Sequence, residues 1–275
     1  MYSLNCKGRL ISLETPIVMA VLNLTPDSFY AGSRIQSRDA LLAQAEMMLR
    51  EGAMILDLGG VSSRPGASEI SVDEELERVV PAILAVSEYF PHALISVDSY
   101  RYEVARAALD AGAVIINDIG ASTSDSLIRL AAAENIPYIC MHMRGQPGNM
   151  QELTTYEDLV TEVLDYFIRR KRDCFRLGVK DLIIDPGFGF AKTIAQNFLL
   201  LKNLNLLKIL DLPILVGLSR KSTVYKTLGV PPEEALNGTT VLHTLALSQG
   251  ARILRTHDVK QAMETIRLWT SYAEA

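Results

Sequence analysis

The sequence predicts a single-domain α/β fold, a (β/α)8 barrel of the TIM type that takes up the whole chain, 1–275. Three observations predict it. Short apolar runs recur about eight times, helical patterns separate every pair, and nearly every run ends in a polar or charged residue. Strands that alternate with helices imply right-handed βαβ units and a parallel sheet. About eight such units in a chain of this length fit a closed barrel. An open doubly wound sheet is the alternative. It does not need eight consecutive units, and its usual G-x-G-x-x-G first turn is absent after the first strand. No linker, low-complexity segment or charge run marks a second domain.

In order along the chain, the segment from Met1 to Pro16 is mixed, and the weak alternation Gly8-Arg9-Leu10-Ile11-Ser12-Leu13 suggests a small hairpin or cap. Ile17 to Leu22 is continuously apolar, as for a strand buried on both faces. It ends at Asn23, and Thr25 to Gly32 cannot be regular structure. Asp39 to Arg50 is amphipathic, with Leu41, Leu42, Ala45, Met48 and Leu49 on one side. Ala53 to Leu58 is the second strand, and Gly59 to Gly66 is a polar loop. Ser71 and Glu74 have the spacing of a capping box, and the helix they open runs to about Tyr89. Further strands are Ala93–Val97, Ala113–Ile116, Pro137–Met141, Asp181–Ile184, Leu212–Val216 and Ala251–Leu254. Helical patterns include Tyr102 to Leu109, Leu127 to Glu134, Tyr156 to Leu177 and Ala235 to Ser248.

Bulk properties limit the function classes. The chain is 49% hydrophobic and 21% charged, enough for one large core, and its net charge is -5. That balance argues against non-specific binding to nucleic acid or an anionic membrane, so any anion site must be local. Cys6, Cys140 and Cys174 form no C-x-x-C pattern, which predicts a reducing compartment, with Cys140 as plain core. There is no signal-peptide architecture and no bilayer-length apolar run. A cytoplasmic protein is expected.

The polar strand ends are Asn23, Asp98, Asn117, Asp185, Ser219 to Lys221, Arg255 and His257. In a barrel they converge on one face, where active sites lie. Each alone has a bland reading: Asp98 and Asp185 as caps, Asn117 as a loop satisfier, Arg220 and Lys221 as a solvated turn. As a set they have a chemistry. Asp98, Asn117 and Asp185 offer carboxylate and amide groups to a flat, nitrogen-rich ring. Arg64, Lys221, Arg255 and His257, with the glycines of the second loop and the helix start after Ser219, suit a phosphate or pyrophosphate. Met141 and Phe190 either flank the ring or simply pack. His142 is a weak metal ligand, with no second histidine at ligand spacing, and the loop from Gly145 to Asn149 is either a lid or a turn.

These blocks, in this order, resemble the dihydropteroate synthases, the folate-pathway enzymes that sulfonamides inhibit. The resemblance spans Ile17 to His257. It rests on Asn23-Leu24-Thr25-Pro26-Asp27-Ser28-Phe29, on Asp57-Leu58-Gly59-Gly60 with Ser62-Ser63-Arg64-Pro65-Gly66, and on Asp98-Ser99 and Asn117-Asp118. It continues through Met141 to Gly145, Asp185 to Thr193, Ser219-Arg220-Lys221 and Arg255-Thr256-His257-Asp258. The resemblance implies a barrel, usually a homodimer, that joins 6-hydroxymethyl-7,8-dihydropterin pyrophosphate to 4-aminobenzoate with the help of Mg²⁺. It implies that Asp98, Asn117, Met141, Asp185, Lys221 and Arg255 hold the pterin, with Asp98, Asp185 and Lys221 catalytic. Asn23, Ser63, Arg64, Arg255 and His257 would meet the pyrophosphate, and Asn23 the metal. Phe29, Pro65, Phe190, Ser219 and Lys221 would surround 4-aminobenzoate. The chain departs from the family pattern at Tyr30-Ala31, where an acidic residue is usual, at Val61, and at Ser63, which keeps the hydroxyl of the usual threonine.

The expected chemistry is SN1-like. Pyrophosphate leaves once its charge is neutralised, carboxylates stabilise the methylene cation, and the largely unprotonated arylamine attacks. The loops after the first two strands are expected to exclude water from the cation. No Ser-His-Asp or Cys-His constellation is needed. Two rival readings remain at this level: a pterin-binding methyltransferase barrel, which has no use for the pyrophosphate cations, and a catalytically silent pterin-binding protein.

Overall fold

The computed structural model describes residues 2–24, 34–61, 70–120, 125–145 and 149–275. Its strands are β1 (Ser3–Cys6), β2 (Arg9–Ser12), β3 (Ile17–Asn23), β4 (Ile55–Gly59), β5 (Leu94–Asp98), β6 (Ile115–Asp118), β7 (Tyr138–Met141), β8 (Leu182–Asp185), β9 (Leu215–Gly217) and β10 (Ile253–Thr256). Its α-helices are α1 (Arg34–Arg50), α2 (Val72–Tyr89), α3 (Tyr102–Asp110), α4 (Ser126–Glu134), α5 (Leu159–Arg176), α6 (Ile194–Lys202), α7 (Ser222–Leu228), α8 (Leu236–Ser248) and α9 (Val259–Ala273).

β3 to β10 form one parallel sheet in the order β8-β7-β6-β5-β4-β3-β10-β9. Between β8 and β9 the ladder is reduced to one parallel bridge, Ile184 to Ile214, with Ile184 N donating to Pro213 O at 3.1 Å. This nearly closes the expected (β/α)8 barrel. β1 and β2 form the anticipated antiparallel hairpin, with Ser3 opposite Ser12.

The period-two pleat explains where the site sits. Met19, Ile55, Leu94, Ile115, Ile139, Ile183, Leu215 and Ile253 form a buried cluster with Leu4, Cys6 and Leu13 of the N-terminal segment. These residues fill the lower barrel, and the hairpin closes it beneath them. Two positions further along each strand, the same phase of the pleat brings Val21, Asp57, Ser96, Asn117, Met141, Asp185, Gly217 and Arg255. A largely polar storey therefore stands directly on an apolar one. The residues of opposite phase, such as Ala20, Leu56, Val97, Ile116, Ile184 and Leu254, pack outward in the larger core with the helices.

Several boundaries moved for identifiable reasons. The predicted strand Leu212–Val216 shrinks to β9, because Asp211 is left-handed (φ 49°) and Pro213 has no N–H for a ladder. The helix expected from Tyr156 starts at Leu159, where Asp158 accepts from Val160 N and Thr161 N. The capping box at Ser71 is half formed. Ser71 Oγ accepts from Glu74 N, but the Glu74 carboxylate binds Arg78, its i+4 neighbour, at 2.5 Å. A complete box occurs instead at Thr193 and Gln196. No described helix is long and apolar enough to cross a membrane.

Candidate active site

Arg255 organises the barrel mouth. Its Nε donates to Asp57 Oδ2 at 2.6 Å and its Nη2 to Asp98 Oδ2 at 2.5 Å. Asp57 Oδ2 also accepts from Asn117 Nδ2 at 3.0 Å. A carboxylate can only accept, so this bond orients the Asn117 amide and turns its oxygen away from Asp57. The result is a row of buried acceptors, Asp57 Oδ1, Asp98 Oδ1 and Asn117 Oδ1, that have no hydrogen-bond partner among the described residues. Unpaired buried acceptors are costly, and native structures keep few without a reason. These three, on β4, β5 and β6, suit a ligand rich in N–H groups.

Across the mouth stand Asp185 and Lys221. Asp185 closes the turn after β8 by accepting from Gly187 N at 2.8 Å. The Lys221 ammonium donates to Phe188 O and lies 4.7 Å from the centre of the Phe190 ring, a cation–π distance. Gly187 and Gly189 have φ of 68° and 84°. A Cβ on Gly187 would stand 2.0 Å from His142 O, so the turn needs glycine there for both conformation and space.

Charge and burial set the electrostatics. Burial, then the neighbouring carboxylates Asp57, Glu75 and Asp185, push Asp98 up to about 7 against the pull of Arg255. Burial also raises Asp185, while Lys221 opposes the rise. Burial pushes Lys221 down to about 8, with Asp185 holding it up. Arg255 is driven further up by its two carboxylates despite its burial. Three acidic groups thus share two cations at the buried strand ends.

A second polar chain lies at the rim. Asn23 Nδ2 is 3.4 Å from His257 Nε2, and His257 Nδ1 is 3.2 Å from Ser219 Oγ, which also accepts from His257 N. With Asn23 donating to Nε2, His257 donates from Nδ1.

The structure therefore brings Asn23, Asp98, Asn117, Met141, Asp185, Phe190, Ser219, Lys221, Arg255 and His257 to the strand ends on one side of the barrel. Phe29, Ser63, Arg64 and Pro65 lie outside the described residues. Met141 and Phe190 are both buried, in one apolar cluster with Ile119, Met143 and Met150. Arg220 does not serve the anion end that its place in Ser219-Arg220-Lys221 suggested, nor is it a solvated turn. Its guanidinium makes two bonds to Asp258, at 2.9 and 2.8 Å, and donates to the carbonyls of Pro232 and Glu233. His142 is buried against Lys192 and Tyr166. No group of three or more His, Cys, Asp or Glu side chains able to hold a metal occurs among the described residues.

Sequence reading missed Asp57. The available signal was a carboxylate inside the apolar run Ile55-Leu56-Asp57-Leu58, in the same pleat phase as Asn117 and Asp185. Its neighbours drew attention to the glycines that follow.

The model of the pterin binding enzyme family matches residues 19–257. The dihydropteroate synthase of Escherichia coli K12 is 42% identical over 264 residues, which is 95% of this chain and 93% of that one. The crystal structure of Yersinia pestis dihydropteroate synthase in a sulfonamide complex superposes with a TM-score of 0.92 at 40% identity, over 100% of both chains. The Xanthomonas albilineans enzyme in complex with 7,8-dihydropteroate does so with a TM-score of 0.89 at 35% identity, again over 100% of both. With this mouth on this barrel, the chain belongs to the pterin binding enzymes and, within them, to the dihydropteroate synthases, which are transferases.

Proposed function

We propose that the chain condenses 6-hydroxymethyl-7,8-dihydropterin pyrophosphate with 4-aminobenzoate, giving 7,8-dihydropteroate and pyrophosphate by an SN1-like path. The observation that carries this reading is the row of unpartnered acceptors on Asp57, Asp98 and Asn117 opposite the Asp185–Lys221 pair. A pterin presents amino and ring N–H donors along one edge and a carbonyl oxygen for a cation, which matches both sides. The dihydropteroate bound by the Xanthomonas albilineans relative contains both halves of the proposed product.

The methylene C–O bond breaks first, and its electron pair leaves with pyrophosphate. The cation left on the methylene is conjugated with the pterin, and the ionised Asp98 and Asp185 stabilise it electrostatically. The amine lone pair of 4-aminobenzoate then forms the C–N bond, and the nitrogen gives up its proton to water or to the departing pyrophosphate. Arylamines are largely neutral near pH 7, so the step needs no strong base. His257 and Ser219 lie where they can meet the departing anion and the second substrate.

The donor set at the rim fits Mg²⁺. This ion usually keeps several waters and takes one or two protein oxygens besides substrate phosphates, and Asn23, whose Nδ2 faces His257, has its Oδ1 to offer. When bound, the ion would neutralise charge on the leaving pyrophosphate. The protein is further proposed to be a cytoplasmic homodimer. Its cysteines are free and buried, as suits a reducing compartment. Val241, Leu245, Leu268 and Tyr272 expose apolar surface on α8 and α9, beside a cavity of about 510 Å³ lined in part by Trp269.

The decisive assay measures pyrophosphate release with and without 4-aminobenzoate. Equal amounts of pyrophosphate and dihydropteroate, formed only when both substrates are present, are expected. Methyl transfer in place of pyrophosphate release, or no reaction at all, would sink the reading.

A pH profile tests the electrostatics. Asp98 must be ionised to face the cation, and its raised value keeps it protonated below about 7. Lys221 must be charged and loses its proton above about 8. The kcat/KM for the pterin substrate should therefore climb as pH rises toward the first value and decline beyond the second. Asp98→Asn should abolish the acidic limb in whatever activity remains. An unchanged acidic limb in that variant would remove Asp98 from this role.

A further inference from the structure

Lys192 is almost fully buried, at 3% exposure, and forms no ion pair with a carboxylate among the described residues. Its ammonium instead bonds Gly187 O, Phe190 O and His142 Nδ1, each at 3.0 Å. His142 is the residue just after β7, and its N donates to Asp185 O at 2.8 Å. Its ring packs edge-on against Tyr166, with centroids 5.0 Å apart. Burial, then the charges of Lys192 and Arg144, drive His142 down to about 2. The imidazole is therefore neutral, and its Nδ1 accepts. Lys192 thus ties the end of β7 to two carbonyls of the turn after β8.

That turn has three left-handed residues in five, Gly187, Gly189 and Ala191. Its carbonyls are divided between two lysines. Gly187 O and Phe190 O go to Lys192, and Phe188 O goes to Lys221. The Phe190 ring lies under the Lys221 ammonium. Asn197 braces the far side, accepting from Gly189 N at 2.8 Å and donating to Thr193 O at 2.7 Å. Three ammonium protons meet three acceptors, so the bonding of Lys192 is complete. A buried lysine is an expensive way to hold a turn, because desolvation opposes its charge and pushes it down to about 7. An apolar residue of similar length would fill the space without that cost, but it could not gather two carbonyls inward and leave the third for Lys221.

We propose that Lys192 is a positioning residue for group transfer: through Gly187 O, Phe190 O and His142 Nδ1 it fixes the turn whose Phe188 carbonyl and Phe190 ring hold the Lys221 ammonium beside Asp185. It acts through Lys221 and the 4-aminobenzoate side of the cavity. Asp98, Asn117 and Arg255 sit on other strands and do not depend on it. The inference rests on the proposed reaction for its kinetic test only.

The test uses Lys192→Met, which keeps the length and removes the donors, and His142→Phe, which keeps the ring and removes one acceptor. In Lys192→Met, the KM for 4-aminobenzoate should rise about tenfold and kcat/KM fall about a hundredfold, as for a catalytic group displaced by roughly an ångström. The KM for the pterin substrate should rise too, by a smaller factor, because Lys221 is only one of the groups that meet that ring. His142→Phe should move the same constants in the same direction by a smaller factor. A role confined to stability would lower the amount of active enzyme and leave both KM values alone. That outcome in Lys192→Met, or in His142→Phe should the first variant not fold, would overturn the proposal. A readout independent of turnover accompanies it. In protein carrying ¹³C-lysine, the end of the Lys221 chain, identified by its loss in Lys221→Ala, should be shifted upfield by the Phe190 ring. That shift should collapse in Lys192→Met, and to a lesser degree in His142→Phe; its persistence in both would equally overturn the proposal. Wild-type protein that shows the ring shift but makes no dihydropteroate would refute the proposed reaction and leave the positioning role standing.

Discussion

Replacing Lys221 by alanine is expected to lower dihydropteroate formation by about a thousandfold or more, the scale on which loss of a preorganised charge acts in a sheltered site. The ammonium has two tasks that no neighbour can take over. Among the cations acting on Asp185 its pull is the largest, and its loss would drive the buried carboxyl further up, so that less of it is ionised to face the developing cation. It also covers the Phe190 ring and closes onto Phe188 O. Arg255, the other cation in the mouth, is already held by Asp57 and Asp98. Asp185→Ala should be similarly inactive for the complementary reason. Product formation followed by chromatography, with circular dichroism to confirm folding, checks both variants. Near-normal turnover in either would dismantle the assignment of this pair.

The second large effect is on stability. Arg255→Met should destabilise the protein by about 3–5 kcal/mol at pH 8, the range found when one partner of a buried ion pair is removed. It leaves Asp57, fully buried, and Asp98, 8% exposed, as neighbouring carboxylates without their cation. The sign of the pH dependence follows. Asp98 already lies above its ordinary value, and in the variant its folded form binds a proton more tightly still. A carboxyl raised in the folded state contributes stability at low pH that is lost as pH rises. The deficit relative to wild type should therefore shrink as pH falls from 8 toward about 7, below which Asp98 is protonated in both proteins. Adding Asp57→Asn and Asp98→Asn should recover much of the stability and none of the activity. Urea denaturation across that range reads all of this directly. A deficit that grew on acidification would show that the Arg255 cluster is not what stabilises the mouth.

Much of this site could be read in the sequence, because its members end strands and the barrel gathers strand ends. Asp98, Asn117, Asp185 and Arg255 announce themselves as polar residues closing apolar runs. Asp57 does not, since a leucine and two glycines follow it and soften the contrast. Arg220 misled because its partner, Asp258, lies 38 residues away across the α7–α8 segment. The chain Asn23–His257–Ser219 spans 234 positions, a pairing that only a closed barrel creates. Local competition explains the smaller differences. Glu74 could complete the Ser71 cap or pair with Arg78, and the ion pair prevailed.

The lone bridge between β8 and β9 has a consequence for how the enzyme meets its substrates. Asp185 ends β8, and Lys221 follows β9 by four residues, so the acid and the cation stand on opposite lips of the barrel's weakest seam. A ligand gripped by both would stitch that seam, turning a row of strands with two loose margins into an uninterrupted hoop. Occupancy and rigidity of the cylinder are then one event, and the backbone amides of Ile184 and Leu215 are where hydrogen exchange should slow first when the cavity fills.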